Sequence, residues 1–201
     1  MLGIGGLGVL GLFVLVRMII DFTESKAKKI RKEERRAVRG AKAEEQIGNI
    51  LESLSEDFLV IHDIDSPYGN IDHIVISKHN GVFLIETKAH GGRVSAVTER
   101  LLVNGHEPEK DFIAQALKNT YWLRDKIRSA TKVEIRIAPI VVFTNAFVEQ
   151  TAPIKGVNIL NAKYLLNVLH RPNVKTQNMA VWELREKILE ALFVQSGCQP
   201  R

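Results

Sequence analysis

One stretch constrains this chain more than any other. Residues 69–88 read GNIDHIVISKHNGVFLIETK. Two apolar runs, 71–77 and 82–88, are rich in Val, Ile and Phe, and Asn80-Gly81 between them supplies turn chemistry. That pattern predicts a β-hairpin. Side chains alternate along a strand, so Glu86 and Lys88 share a face with Val82 and Leu84, and Asp72 shares one with Ile74 and Ile76. If Ile76 pairs with Val82 across a five-residue loop, Asp72 lies directly opposite Glu86. A two-residue Asn-Gly loop would shift the pairing by one and separate them, because a one-residue slip exchanges the faces. We take the longer loop. Two carboxylates and a lysine then converge on an apolar sheet face, where opposed carboxylates repel. A hard divalent cation is a natural partner for such a pair.

Each of these residues also has an ordinary explanation. A single acid in a strand usually faces solvent or pairs with a neighbour. Lys88 and Glu86 would make a surface ion pair of little energetic value. Asp72 would simply follow the turn at Pro67-Tyr68-Gly69-Asn70. The joint parity of all three residues favours a shared site over three separate accidents.

The N-terminus is of another kind. Residues 2–16 carry no charge, Arg17 follows, and Met18-Ile19-Ile20 resumes the apolar run. That length matches a membrane span, and Arg17 sits near one end, where it would snorkel. Gly3, Gly5, Gly6, Gly8 and Gly11 would admit a second helix at close range, so a homo-oligomer through this segment is an expectation. No basic stretch precedes the run and no A-x-A-like site follows it, which favours an uncleaved anchor over residues 1–22. Residues 23–38 form a basic linker. With Arg39 and Lys42 just beyond it, the positive charge there exceeds Glu33 and Glu34. Cations beside a span mark the cytoplasmic side. The expected location is thus the cell inner membrane, single-pass, with the remainder of the chain in the cytoplasm.

The net charge of +5 and pI near 9.3 suit nucleic acid or anionic lipid without distinguishing them. The lone Cys198 excludes an internal disulfide and a cysteine zinc site. After the linker, Ile47, Ile50, Leu51 and Leu54 recur at helical spacing over residues 40–55, with Glu44 at the edge of the stripe. A strand is expected over 58–64, a loop over 89–92, and a short hairpin from 93–97 and 101–103. A long helix follows over 109–130, with Gln115 near the edge of its apolar stripe. Residues 133–144 read as a strand that Pro139 consigns to an edge or a bulge. A short strand over 157–160, a helix over 162–170 broken at Arg171-Pro172-Asn173, and a final amphipathic helix over 180–194 complete the chain. The main domain is therefore expected over 39–170, with a helical extension over 171–201.

The order helix, strand, hairpin, helix, strand, with Glu44, Asp72, Glu86 and Lys88 in place, resembles the nuclease-related domain (NERD) family, itself similar to the PD-(D/E)xK nucleases. The matching pieces are Gly40-Ala41-Lys42-Ala43-Glu44, the run IDHIVIS from Ile71, and GVFLIETK from Gly81; Gly92-Arg93-Val94, Gln115 and Val141-Val142-Phe143 extend them. Ala43 stands where the family often has glycine. Asn119, four residues after Gln115, stands where a tyrosine would be expected. The Asp72 motif lacks a literal Pro-Asp pair, as is usual in this family. The resemblance implies an α/β fold, a restriction-endonuclease-like mixed sheet flanked by helices. It implies catalytic Glu44, Asp72, Glu86 and Lys88. The metal ligands would be Asp72, Glu86, the Thr87 backbone carbonyl and Glu44, with Gln115 auxiliary.

Phosphodiester hydrolysis suits these residues on chemical grounds as well. A metal neutralises phosphate charge and acidifies the attacking water, and carboxylates suit Mg²⁺ or Mn²⁺. Lys88 would position or deprotonate the water, or stabilise developing charge; with an ordinary lysine pKa, charge stabilisation is the safer role. The expectation is a membrane-anchored, metal-dependent nuclease acting on DNA. Its rivals are a non-catalytic nucleic-acid-binding domain and a membrane-tethered interaction domain of the same fold.

Overall fold

The computed structural model describes residues 4–149, 152–171 and 178–193, with side chains from residue 15 onward and, in the last stretch, from residue 179. The chain divides into two units, Met1–Ala41 and Lys42–Arg201. The first helix, α1, has the bounds Ile4–Leu51. The apolar run expected to form an anchor lies largely on residues 1–14, outside the described side chains. Among the described residues no helix is long and apolar enough to cross a membrane. From Leu15 onward, Arg17, Asp21, Glu24 and Lys26 interrupt the helix too often to leave a run of about 20 apolar residues.

The second unit is a mixed α/β domain. Its strands are β1 (Phe58–Ser66), β2 (Gly69–Ser77), β3 (Gly81–Val97), β4 (Arg100–Val103), β5 (Ile137–Val148) and β6 (Asn158–Asn161). They form a six-stranded sheet of order β1-β2-β3-β5-β6, with β4 paired to the far end of β3. The pairs β1–β2, β2–β3 and β3–β4 are antiparallel; β3–β5 and β5–β6 are parallel. The crossover from β4 to β5 is helix α2 (Phe112–Thr131), started by Asp111, whose side chain accepts the Ala114 N–H at 2.9 Å.

The hairpin has the expected register, with Ile76 opposite Val82. Ser77 pairs with Gly81, so the loop proper is Lys78-His79-Asn80. The Ser77 hydroxyl oxygen accepts the N–H groups of His79 and Asn80 at 3.3 and 3.1 Å. Asn80 donates its side-chain amide to the Leu169 carbonyl at 2.8 Å, and Gly81 takes φ 98°. These bonds hold Asn80 in a wider loop and leave Gly81 to supply the left-handed residue that closes it.

Both faces of the sheet are covered. Ile74, Ile76, Val82 and Leu84 pack on one side with Leu123 and Ile127 of α2. Val75, Phe83, Ile85 and Val142 pack on the other with Ile47 and Leu51 of α1 and with Leu165 and Leu169, which belong to α3 (Leu165–Leu169). Each such buried side chain contributes about 1.5–3 kcal/mol of transfer free energy. This double coverage explains why β2 and β3 read as nearly continuous apolar runs.

Several expectations are corrected. Residues 89–92 are not a loop: β3 continues through them, with a register shift between Lys88 and Gly91 that resumes at Gly91–Asn145 and Gly92–Ala146. Gly92 has φ 91°, and a Cβ there would sit 1.9 Å from Asn104 Oδ1. Glycine is required by that close approach inside the strand, and does not end it. Pro139 lies neither at an edge of the sheet nor in a bulge: β5 runs between β3 and β6, and Pro139 pairs in register with Leu84. The ladder to β6 begins only at Ile140, so on that side the missing N–H interrupts no pairing. The helix expected over 162–170 is a 3-10 turn, Ala162–Tyr164, followed by α3. The last helix is split into α4 (Asn178–Glu183) and α5 (Arg185–Phe193), with Val181, Ile188 and Leu192 in the same core cluster as α2. Pro172, Asn173, Val194 and Cys198 lie outside the described residues.

Candidate active site

The ladder between β2 and β3 has its last register pair at His73 and Ile85. Just beyond it stand Asp72 on β2 and Glu86, Thr87 and Lys88 on β3. The Thr87 N–H donates to Asp72 Oδ2 at 2.6 Å. Lys88 Nζ donates to Glu86 Oε2 at 3.3 Å and lies 5.3 Å from the centre of the Phe112 ring. The Glu86 side chain is 1% exposed and that of Lys88 14%. This ion pair is therefore buried, and its partners depend on each other.

Asp72 is buried too, and its carboxyl is pushed up from an ordinary 3.8 to about 7. Burial is the largest cause and the nearby Glu86 charge the next. The Thr87 N–H and Lys88 pull the other way, and Glu44 adds a further upward push. Burial strips water from the ionised form, and a second carboxylate repels it.

A cleft of about 940 Å³ opens over these residues. Glu44 of α1 lines it together with Asp72, Thr87 and Lys88. Gln115 also lines it, from the first turn of α2, with its Nε2 3.8 Å from where a Cβ on Gly69 would lie. Glu44, 28 residues before Asp72 in the chain, thus opens on the same space. Lys110 and Lys118, both exposed, and the buried Phe112 belong to the wall as well.

A family model described as the nuclease-related domain matches residues 39–144, more than half of the chain. The chain belongs to the nuclease-related domain family. The matched range includes every candidate site residue named above. No curated protein and no solved structure matches the chain.

Within this nuclease-related domain, sequence reasoning missed one contributor. Asn119, fully buried, donates from Nδ2 to Glu86 Oε1 at 2.8 Å, and its Oδ1 accepts the Ser66 hydroxyl at 2.7 Å. Asn119 entered the sequence reading only as a departure from the family pattern. Its spacing of four from Gln115 puts both on one face of α2, which was the available signal. Also missed was a histidine pair on β1 and β2. His62 Nδ1 and His73 Nδ1 are 2.8 Å apart, with the rings edge-on at 5.0 Å. Burial, and then His62, lower the His73 pKa to about 4, against the opposing pull of Asp63 and the Glu44 backbone. The His73 ring is therefore neutral at pH 7.

Asp72 and Glu86 offer the hard oxygens that Mg²⁺ or Mn²⁺ prefer, and a cation there would offset the burial and the Glu86 charge that push Asp72 up. Among the described residues no three His, Cys, Asp or Glu side chains are grouped to hold an ion by themselves. A Mg²⁺-type ion suits that set, because it commonly takes one or two carboxylates and fills its sphere with water and substrate oxygens.

Proposed function

We propose that this nuclease-related domain is a metal-dependent phosphodiesterase, with DNA as the expected substrate. The carrying observation is the buried Asp72 at the floor of a cleft walled by Lys88, Lys110 and Lys118, with the charge of the fully buried Glu86 close behind it. A carboxyl that resists ionisation through burial and a neighbouring carboxylate, as Asp72 does, gains most from a cation. Asp72, Glu86, the Thr87 carbonyl and Glu44 are the residues that would hold it, with Gln115 beside them. When bound, Mg²⁺ or Mn²⁺ supplies charge neutralisation at the phosphate and a more acidic water. Lys88, held against Glu86 at the cleft wall, stabilises negative charge developing on the phosphate. The acid-bearing hairpin at the centre of a mixed sheet supports a restriction-endonuclease-like form of the fold. Attachment to the inner membrane through residues 1–22, with the domain in the cytoplasm, rests on the apolar run and the cations after it.

A non-catalytic nucleic-acid-binding role draws on one observation: both Glu86 oxygens are already engaged, by Asn119 and Lys88. Incubation of the full chain with end-labelled DNA and RNA, in Mg²⁺, Mn²⁺ or EDTA, separates the two. Cleavage that needs metal and is lost in Asp72→Asn supports the nuclease. Binding without cleavage under every metal condition refutes it in favour of the second role.

A further inference from the structure

Tyr68 sits at the tip of the turn between β1 and β2, is 51% exposed, and lines the same cleft as Asp72 and Lys88. Other exposed tyrosine rings are covered from within the chain: Arg124 lies 5.2 Å from the Tyr121 ring and Lys163 4.8 Å from the Tyr164 ring. Tyr68 has no such ring contact among the described residues. Its backbone, by contrast, is firmly held. The Tyr68 N–H donates to Ser66 Oγ at 3.0 Å, and the Ser66 hydroxyl hydrogen is shared between the Gly69 carbonyl and Asn119 Oδ1, both at 2.7 Å. Pro67 precedes it and restricts φ on that side. The same Asn119 holds Glu86. An open aromatic face is thus mounted on a turn bonded to the site's own scaffold, beside Lys110 and Lys118, which carry no ion pair among the described residues.

An uncovered ring on a firmly held backbone, next to exposed cations, is the arrangement that captures an unstacked nucleobase. In a continuous duplex the base faces are buried against one another and are closed to such a ring. We infer that Tyr68 is a base-stacking platform, so that the cleft takes single-stranded nucleic acid in preference to intact duplex. This rests on the nucleic-acid reading of the site and names its substrate form.

The test is binding by fluorescence anisotropy with the full chain in EDTA, so that cleavage does not intervene. The probes are a labelled oligo-dT, an oligo-rU and a blunt DNA duplex of equal length at fixed salt. The parent binds the single strands more tightly than the duplex. Tyr68→Ala weakens single-strand binding by about 5- to 100-fold, the usual worth of one stacked base, and changes duplex binding little. Tyr68→Phe keeps the ring and binds as the parent does. The dT and rU arms tell a DNA strand from an RNA strand. Single-strand binding unchanged in Tyr68→Ala overturns the inference, as does an equal loss in Tyr68→Phe, which would assign the effect to the hydroxyl. Ultraviolet cross-linking of a bromouracil oligonucleotide to the parent, mapped by mass spectrometry, needs no variant to fold. An adduct on Tyr68 supports the platform, and adducts found only elsewhere refute it. Lys110→Glu with Lys118→Glu separates the two levels. If these lose binding to every probe while Tyr68→Ala does not, the cleft binds nucleic acid and only the stacking role falls. If the parent binds no probe, both readings fall.

Discussion

Replacing Asp72 by Asn should stabilise the metal-free protein while weakening its hold on metal. The folded carboxyl keeps its proton up to about pH 7, whereas in the unfolded chain it releases it near 3.8. Stability from this group is therefore fully present below 3.8 and is lost as pH rises through 7. At about 1.4 kcal/mol per pH unit, the gap amounts to roughly 4 kcal/mol at pH 8 and roughly 2 kcal/mol at pH 5. Asn is isosteric and its Oδ1 can still accept the Thr87 N–H, but the bond becomes a neutral one, which costs about 1 kcal/mol. The net gain expected for Asp72→Asn is about 3 kcal/mol at pH 8 and about 1 kcal/mol at pH 5. For a unit of this size these correspond to melting shifts of roughly 6–12 °C and 2–4 °C.

The assay is thermal unfolding of parent and variant in EDTA at both pH values, repeated with Mg²⁺. The difference between the two proteins is the informative quantity. His73, held at about 4 against an ordinary 6.5, makes both lose stability as pH falls from 6.5 towards 4. Mg²⁺ should raise the parent's melting temperature and leave the variant's nearly unchanged, by mass action on the folded state. A variant less stable than the parent at pH 8 in EDTA, or a gain that does not shrink at pH 5, would refute the reasoning.

The other expectations are brief. Lys88→Ala keeps the carboxylates, so calorimetry should still detect metal while turnover falls roughly 10²- to 10⁴-fold; in EDTA it should melt below the parent, because Glu86 loses its buried partner. Asn119→Ala leaves Glu86 Oε1 without its donor and should lower both stability, by about 1–3 kcal/mol, and metal affinity, read by urea titration and calorimetry. Gly92→Ala combines φ 91° with a Cβ placed 1.9 Å from Asn104 Oδ1 and should cost more than about 2 kcal/mol, whereas Gly105→Ala, with φ 81° and open space, should cost about 1 kcal/mol.

The hairpin was legible because its strands are covered on both faces and so spell out Val, Ile and Phe in sequence, while parity alone put Asp72 and Glu86 on a common face. Gly91-Gly92 misled because glycine signals both a turn and a close approach, and only the Asn104 side chain, brought over by β4, tells which. Pro139 misled because its strand is interior, but the ladder to β6 begins only one residue later. The amphipathic stripe of the last helices was readable, yet a stripe does not name what it covers; Val181 and Ile188 close the sheet face beside α2. Asn119 was legible only as a neighbour of Gln115 on one face of α2; its meaning lies in Glu86 and Ser66, 33 and 53 residues away.

The placement of Asp72 couples fold to chemistry. The β2–β3 ladder ends at His73 and Ile85. One step further the Thr87 N–H would lack a strand partner, and the Asp72 side chain takes its place at 2.6 Å. The carboxylate thus caps the open end of the ladder as well as facing the cleft, and that sets apart two substitutions that would otherwise look alike. Asp72→Asn removes the charge and keeps the cap. Asp72→Ala removes both and leaves a buried N–H unpaired, a loss of about 1–3 kcal/mol. Both should lose metal binding to a similar degree, yet Asp72→Ala should melt below Asp72→Asn in EDTA at every pH. Equal melting temperatures for the two would mean that the Thr87 bond does not support the strand end, and that the acid at this position is tolerated by the fold without helping to build it.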